Sequence, residues 1–299
     1  MGEAMESTFN RYEVFLKVAE LGNITRAAEA LNYTQSGVSH SIAALEREAG
    51  FPLFLRGSGG VALTERGRRL LAPVQELVNR QRNLAQAIHE INDVVCGTLR
   101  LGTFTSVSAQ WLPWIIRDFQ RSCPRVEFDL RAGDYDEISE WIRREKIDCG
   151  FLSAPVPEGL SFRPLKEDPM KVILPQGHPL AERESLTLPE IAQEPFIIPM
   201  KGSDNDIQAL LRQSGVSVRV RYALNDEFSV MSMVEHGFGV SIMPELILRN
   251  FRFNLLSRDL SPEAHRTLGI ASLPPERVSV VGRTFIRYLS GPAVDLRRL

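Results

Sequence analysis

The sequence lacks several features that would place it in a specialised class of protein. Its three cysteines, Cys96, Cys123 and Cys149, are too few and too scattered for a disulfide framework or a zinc site. Its longest apolar runs, such as KVILP and PFIIP, are far shorter than the roughly 20 residues of a membrane-spanning helix. The N-terminal run MGEAMESTFNRYEVF has no basic segment followed by an apolar one, as an export signal would. These absences predict a cytoplasmic protein with no membrane partner.

Motifs of the common enzyme classes are also missing. There is no GxGxxG after a strand, no phosphate-binding P-loop, no HExxH and no GxSxG. The five histidines are dispersed and have no metal-ligand spacing. The sequence therefore predicts that the protein is not an enzyme and that it has no cofactor and no metal.

An excess of basic residues, common in nucleic-acid-binding proteins, is absent as well. The 299 residues carry 35 Lys and Arg against 37 Asp and Glu, for a net charge of −2. The first 95 residues balance 10 basic against 11 acidic side chains. Any contact with DNA must therefore depend on where a few charges are placed.

The N-terminal segment has the pattern of a helix-turn-helix. An amphipathic helix in FNRYEVFLKVAE ends near Gly22, and a second one, NITRAAEAL, follows with Asn23 or Thr25 as its cap. After a short break, TQSGVSHSIAALEREAG predicts a third helix that buries Val38, Ile42 and Leu45 and ends at Gly50.

The third helix has a polar face that suits the major groove of DNA. Opposite the buried stripe lie small hydroxyl groups, a glutamine, a histidine and an arginine, which reach base edges when a helix lies in that groove. A plain solvated face is the alternative. The DNA-contacting residues that we predict here and in the flanking elements are Thr25, Thr34, Gln35, Ser36, Ser39, His40, Arg47 and Arg56.

A β-wing is predicted after the third helix. FPLFLRGSGGVALTERG indicates a strand, a glycine-rich turn, a second strand and a helix cap at Thr64. Arg56 with Arg66, Arg68 and Arg69 forms a local basic cluster for phosphates.

The whole run ITRAAEALNYTQSGVSHSIAALEREAGFPLFLR…VALTERGRRLL closely resembles the start of LysR-type transcriptional regulators, which are bacterial. In that family a second basic residue usually follows Arg56 by three positions, where this chain has Gly59. The resemblance implies a DNA-binding regulator that is a homodimer or homotetramer.

A long helix is predicted from Thr64 to about Val95. Apolar residues alternate spacings of four and three, which is the seam of a coiled coil and is buried only against a partner helix. The seam residues are Leu70, Val74, Leu77, Gln81, Leu84, Ile88, Ile91 and Val95. We therefore predict dimerisation through this helix, with Pro73 bending its first part.

The last 200 residues alternate strand-like and helical runs. Such alternation predicts βα units with parallel sheet, and the length indicates two α/β lobes. The family resemblance implies a periplasmic-binding-protein-like domain whose lobes close on a small-molecule effector.

The effector site is predicted at helix starts that follow strands, where free N–H groups attract anions. Ordinary helix caps are the alternative for each hydroxyl taken singly. By resemblance, family members bind effectors at positions matching Ser106, Ser153 and Ser203. The full predicted set is Thr103, Phe104, Thr105, Ser106, Ser153, Gly202, Ser203 and Phe228. The expected ligand is a small carboxylate.

The sequence thus predicts an α/β protein with three parts. These are a winged helix-turn-helix over 1–64, a linker helix over 65–95 and an effector domain over 96–299. Within the last, lobe 1 covers about 97–168 and 266–299, and lobe 2 covers about 169–265. The predicted function is effector-controlled binding of double-stranded DNA. A redox-responsive regulator and a solute-binding module with a vestigial DNA-binding domain remain alternatives.

Overall fold

A computed structural model describes most of the chain, in two compact units divided between Ile91 and Asn92. The described residues are 2–57, 60–91, 95–199, 205–249 and 252–291. Gly202 and Ser203 lie outside them, as do the side chains of residues 2–10, 56, 86–87 and 89–91.

The first unit is a winged helix-turn-helix. Its elements are α1 (Gly2–Leu21), α2 (Ile24–Leu31), α3 (Gln35–Ala49), β1 (Phe54–Gly57), β2 (Gly60–Leu63) and α4 (Glu65–Ile91). Strands β1 and β2 pair antiparallel and form the wing. Thr64 caps α4, because its Oγ1 accepts a hydrogen bond from the Gly67 N–H at 2.9 Å.

Close backbone contact ties the wing to the turn after α1. The Val61 N–H donates to the Gly22 carbonyl at 2.9 Å. A Cβ at Gly60 would lie 2.4 Å from that carbonyl oxygen, and the φ of Gly60 is +124°. Glycine is therefore required at residue 60 by both space and backbone conformation.

The core of the first unit includes the beginning of α4. Val74 and Val78 are buried with Phe15, Val38 and the other apolar residues of α1 to α3, and Leu70 packs against them. The prediction that Val74 belongs to an intermolecular seam is therefore wrong, because this residue is buried within the chain, where α4 completes the core of this unit. Leu70 is partly buried against the same core.

The second unit alternates strands and helices. Its strands are β3 (Cys96–Thr103), β4 (Arg125–Ala132), β5 (Cys149–Ser153), β6 (Ser161–Pro175), β7 (Ser185–Leu186), β8 (Pro195–Pro199), β9 (Arg219–Leu224), β10 (Ser241–Pro244), β11 (Leu255–Leu260) and β12 (His265–Ser272). Its helices are α5 (Thr105–Gln110), α6 (Leu112–Ser122), α7 (Tyr135–Arg143), α8 (Leu188–Ile191), α9 (Asn205–Ser214), α10 (Glu227–Glu235), α11 (Glu245–Leu248) and α12 (Val280–Leu289).

The larger of the two sheets described in this unit is mixed, which corrects the prediction of a parallel sheet. Strand β3 pairs parallel with β4 and β5, whereas β12 pairs antiparallel with both β5 and β6. Strands β10 and β11 also pair antiparallel with β6. Alternation of strands and helices gives parallel pairs only where each helix returns the chain to the end of the sheet at which the previous strand began. The long strand β6 runs the other way.

Strand β6 runs from one lobe of the second unit, which we call lobe 1, into the other, which we call lobe 2. Its first part pairs with β12 beside the lobe 1 core, which contains Trp111, Phe119 and Phe285. Its second part pairs with β10 and β11 beside the lobe 2 core around Phe196 and Ile242. The lobes are therefore joined by continuous strand, and residues near the end of the β6–β12 pairing lie between them.

Two kinds of feature are absent from the described part of the chain. No helix there is long and apolar enough to cross a membrane. No group of three or more His, Cys, Asp or Glu side chains in that part has an arrangement that could hold a metal ion.

Candidate functional site

The third helix of the winged helix-turn-helix is held at both ends. Thr34 caps its start, because its Oγ1 accepts from the Gly37 N–H at 3.1 Å and lies 3.2 Å from Ser36 Oγ. Gly50 closes its end in the left-handed conformation. The preceding helix α2 is capped by Asn23, whose Oδ1 accepts from the Thr25 and Arg26 N–H groups. Of the two candidate caps, Asn23 is thus the one used.

The polar face of α3 points to solvent. Val38, Ile42 and Leu45 are buried, as their spacing predicts. The predicted DNA-contacting side chains of α3 and its flanks are exposed except Ser39, which is half-buried; the exposed ones are Thr25, Thr34, Gln35, Ser36, His40 and Arg47. We call these seven residues together the reading face.

Basic residues flank the wing. Arg56 lies in β1, opposite Val61 in β2, and its side chain is outside the described residues. Arg68 and Arg69 are exposed in the first turns of α4. The Arg66 guanidinium lies 5.4 Å from the centre of the Phe51 ring, and this cation–π contact holds it on the surface.

In the second unit, Arg266 of β12 is the centre of a buried hydrogen-bond network. Its side chain is only 7% exposed. Its Nε and Nη2 lie 2.9 and 2.8 Å from Asp168 Oδ2, and Nη2 also donates to Ser106 Oγ at 2.8 Å. Its Nη1 donates to Tyr135 Oη at 2.9 Å and to Asp206 Oδ2 at 3.3 Å. We call these five side chains the arginine cluster.

The arginine cluster joins the two lobes. Asp168 and Arg266 face each other across β6 and β12. Ser106 and Tyr135 begin lobe 1 helices, whereas Asp206 begins α9, which packs in the lobe 2 core. Tyr135 Oη donates to Asp206 Oδ2 at 2.9 Å, so two hydrogen bonds link Asp206 to residues outside its lobe.

Burial and charge interactions together shift the pKa values of three groups in the cluster. Burial opposes the charged form of Arg266, but interactions with Tyr135, Asp168 and Asp206 outweigh it and raise the pKa of Arg266 above its usual value. Burial also raises the pKa of Tyr135, so the phenol remains a hydrogen-bond donor at neutral pH. Burial raises the pKa of Asp168, and Arg266 offsets part of that shift.

Two cavities adjoin the cluster. A cavity of about 20 Å³ is lined by residues that include Ser106, Asp206, Glu227 and Arg266. This is room for about one water molecule. An open cleft of about 590 Å³ is lined by Phe104, Thr105, Ser108, Ala109, Ala132, Gly133, Asn225, Asp226 and Glu227. Glu227 lines both, so the small cavity borders the cleft.

Three of the predicted effector residues meet the cluster or the cleft directly. The Phe104 ring lies under the Arg266 guanidinium, 5.4 Å from ring centre to Cζ. Thr105 Oγ1 donates to Glu227 Oε2 of lobe 2 at 3.4 Å. Ser106 is in the cluster itself.

Three more predicted residues that the structure describes, Thr103, Ser153 and Phe228, line neither cavity. Thr103 is buried with its Oγ1 3.1 Å from Ser108 Oγ. Ser153 is buried at the end of β5, and its hydroxyl has no hydrogen-bond partner among the described residues. Phe228 is partly exposed beside Glu227 in α10.

Sequence reasoning missed the charged members of the cluster. Arg266 begins the otherwise apolar run RTLGIAS, and Asp168 interrupts β6, so each was a charged residue in a strand that becomes buried. Such residues need a partner, which was the available signal. Tyr135 and Asp206 gave no such signal, because their first turns resemble ordinary solvated helix starts.

Cys123 and Cys149 do not have the environment of a redox switch. Cys123 and Cys149 are buried, and burial raises the pKa of both thiols. A reactive cysteine needs the opposite, an accessible group with a lowered pKa. The half-buried Cys96 forms no disulfide.

Two family models match the chain. Residues 9–68 match the bacterial regulatory helix-turn-helix protein, lysR family, and residues 92–291 match the LysR substrate binding domain. The chain belongs to the LysR family. Its regulatory helix-turn-helix and substrate-binding domain together cover the reading face and the arginine cluster.

Transcriptional regulators and their domains resemble the chain over 64 to 97% of its length. The uncharacterised HTH-type transcriptional regulator YvbU of Bacillus subtilis (strain 168) is 30% identical over 93% of this chain and 96% of its own length. A full-length OxyR variant from Pseudomonas aeruginosa has a TM-score of 0.75 at 21% identity and covers 97% of this chain and 94% of its own. The CcmR regulatory domain of Synechocystis PCC6803, in complex with 2-PG, has a TM-score of 0.59 at 27% identity, covering 64% and 95%.

Proposed function

We propose that the protein is a LysR-type transcriptional regulator in which a small carboxylate effector, bound between the lobes of the second unit, controls engagement of double-stranded DNA by the first. One observation carries this proposal. The same chain combines an exposed polar face on α3 with a buried arginine, Arg266, that pairs with carboxylates between two lobes. The protein is proposed to act in the cytoplasm.

The DNA contacts are assigned to the reading face and the wing. Gln35, Ser36, Ser39 and His40 are proposed to reach base edges from the first two turns of α3. The phosphate backbone of the DNA is proposed to be contacted by Thr25, Thr34, Arg47 and Arg56. Contacts of hydroxyl, N–H and guanidinium groups with phosphates fix the register of a protein on DNA.

The effector site is assigned to the cleft beside the arginine cluster. Phe104 and Thr105 line the cleft from lobe 1, and Ser106 lines the small cavity next to it. We add Arg266 as the group that binds a carboxylate, because a guanidinium pairs with carboxylates in a fixed geometry. Ser153, Phe228, Thr103 and the predicted lobe 2 residues Gly202 and Ser203 remain proposed members. The complex of CcmR with 2-PG supports a small-molecule effector.

Dimerisation through the distal part of α4 is proposed as well. Leu77, Leu84 and Ile88 lie on one stripe of that helix and are 41, 63 and 52% exposed in the single chain. An apolar stripe at heptad spacing is stable when a second helix covers it. A Leu84→Glu variant should shift the sedimentation coefficient toward the monomer, and an unchanged value would exclude this seam.

Fluorescence anisotropy of the full chain on DNA from upstream of its own gene tests the proposal. We expect tight binding that exceeds binding to scrambled DNA and that weakens steeply with salt. Arg47→Ala should weaken binding to both DNAs alike and reduce the salt slope by about one. Equal, weak binding to both DNAs by the unmodified protein would refute the regulatory function and favour a solute-binding module.

A further inference from the structure

Asp206 interacts with the arginine cluster as a bound carboxylate would. Its Oδ2 accepts hydrogen bonds from both Tyr135 Oη, at 2.9 Å, and Arg266 Nη1, at 3.3 Å. Both donors lie outside lobe 2, to which Asp206 belongs. A carboxylate from one lobe thus fills a two-donor site formed by Tyr135 of the other lobe and Arg266 of β12.

The remaining donors of Arg266 are already used. Its Nε and Nη2 face Asp168, and Nη2 also donates to Ser106. The side of the guanidinium that an additional carboxylate can reach is therefore Nη1. That position is the one that Asp206 occupies.

Asp206 is the less firmly held of the two carboxylates at Arg266. Asp168 is also fixed by the Leu246 N–H, which donates to its Oδ1 at 2.9 Å, and it neutralises Arg266 one to one. Asp206 adds a second negative charge to a buried cationic group that is already paired. Replacing Asp206 by the carboxylate of a ligand leaves the charge of the cluster unchanged, so this exchange avoids the cost of burying an unpaired charge.

The available space points the same way. The cavity at Arg266 and Asp206 has a volume of about 20 Å³ and admits about one water molecule. The cleft next to Glu227 has a volume of about 590 Å³, which is ample for a metabolite. The body of a ligand can therefore enter the cleft while Asp206 still blocks its carboxylate from Arg266.

We propose that Asp206 is an internal competitor of the effector: its carboxylate occupies the place at Arg266 and Tyr135 that the effector's carboxylate takes on binding. This inference rests on the proposed function, because it assigns the effector to this cleft. The exchange breaks both hydrogen bonds between Asp206 and the rest of the cluster. It thereby releases the start of α9 and couples effector binding to the contact between the lobes.

Acetate is a suitable probe, because it is the smallest ligand that presents a carboxylate with a methyl group. All three tryptophans, Trp111, Trp114 and Trp141, lie in the second unit, so their fluorescence reports its melting temperature selectively. Each variant of the full chain is titrated with acetate at constant ionic strength, with neutral acetamide in parallel. The half-saturating acetate concentration is the measured quantity.

Asp206→Asn should lower that concentration by at least about tenfold. This is the factor expected if Asp206 occupies the site in about nine molecules out of ten, because the apparent affinity scales with the fraction of competent molecules. Asp206→Ser repeats the test if Asn lowers the melting temperature without acetate. Arg266→Met should abolish the acetate response in the Asp206→Asn background, and acetamide should give none.

Asp136→Asn is the matched control. It also removes one negative charge beside the cluster, next to Tyr135 in α7, but Asp136 is exposed and lines neither cavity. We expect less than a twofold change. An equal gain in both variants would overturn the inference in favour of general electrostatics, and no gain in Asp206→Asn would overturn it outright. Sequence-specific DNA binding, measured on the same samples, shows separately whether the proposed function stands.

Discussion

The reading face and the arginine cluster use polar side chains in opposite ways. On the reading face, Gln35, His40 and Arg47 are exposed, and their polar groups remain available. In the cluster, Arg266 and Asp168 are almost completely buried, and their polar groups form hydrogen bonds with other groups of the same chain. The difference follows from the partner. DNA brings its own charge and water to a surface, whereas a buried guanidinium needs an anion at all times.

This difference has a consequence for stability. A residue of the reading face that caps no helix can be replaced with little effect on folding, because water already solvates it in the free protein. A member of the cluster cannot, because its removal leaves a buried partner without compensation. The two sites therefore differ in whether function and stability can be changed independently.

The largest expected effect is that of Arg266→Met. It leaves the Asp168 carboxylate buried without its cation, which should cost roughly 3–5 kcal/mol of unfolding free energy. Urea unfolding followed by tryptophan fluorescence measures the loss in the second unit. Adding Asp168→Asn should restore most of it, because Asn is uncharged and keeps an acceptor for the Leu246 N–H.

Arg121→Ala is the control for that measurement. Arg121 is 74% exposed and pairs with Asp118 at 3.5 Å on the surface of lobe 1. Exposed pairs of this kind contribute up to about 1 kcal/mol. If Arg266→Met cost no more than Arg121→Ala, the distinction between the two kinds of polar site would be lost.

A smaller effect, on specificity alone, is expected for Gln35→Ala. A glutamine that pairs with an adenine edge supplies about 1–3 kcal/mol of discrimination between bases. Anisotropy should therefore show a lower ratio of upstream to scrambled DNA affinity, while the unfolding free energy changes by less than about 0.5 kcal/mol. Glu48→Ala, on an exposed part of the same helix, should leave the ratio intact. A large loss of stability in Gln35→Ala would show that the reading face is structural.

The two sites also differ in how far the sequence predicted them. The caps, the wing and the buried stripe of α3 depend on residues within a few positions of each other, so their pattern is visible locally. The arginine cluster joins Arg266 to Asp168, Tyr135 and Ser106 across 98, 131 and 160 positions. Helix and strand periodicity relates only residues that are close in sequence, so it does not predict pairs this far apart. The antiparallel course of β6 was missed for the same reason, since strand direction depends on which distant strand is its neighbour.

Thr34 gives the smallest and most informative test, because it belongs to the reading face and also forms a structural hydrogen bond. Its hydroxyl caps α3 through the Gly37 N–H, and its exposure leaves it accessible to a phosphate. Thr34→Ala should cost about 1 kcal/mol of unfolding free energy in the first unit, measured by far-ultraviolet circular dichroism, because the N–H group loses its acceptor. Thr34→Ser keeps the oxygen and should recover this stability. If Thr34→Ser also restores DNA affinity, one hydroxyl both ends the turn and contacts the nucleic acid. If Thr34→Ala leaves DNA affinity unchanged, the hydroxyl acts only as a cap, and the reading face begins at Gln35.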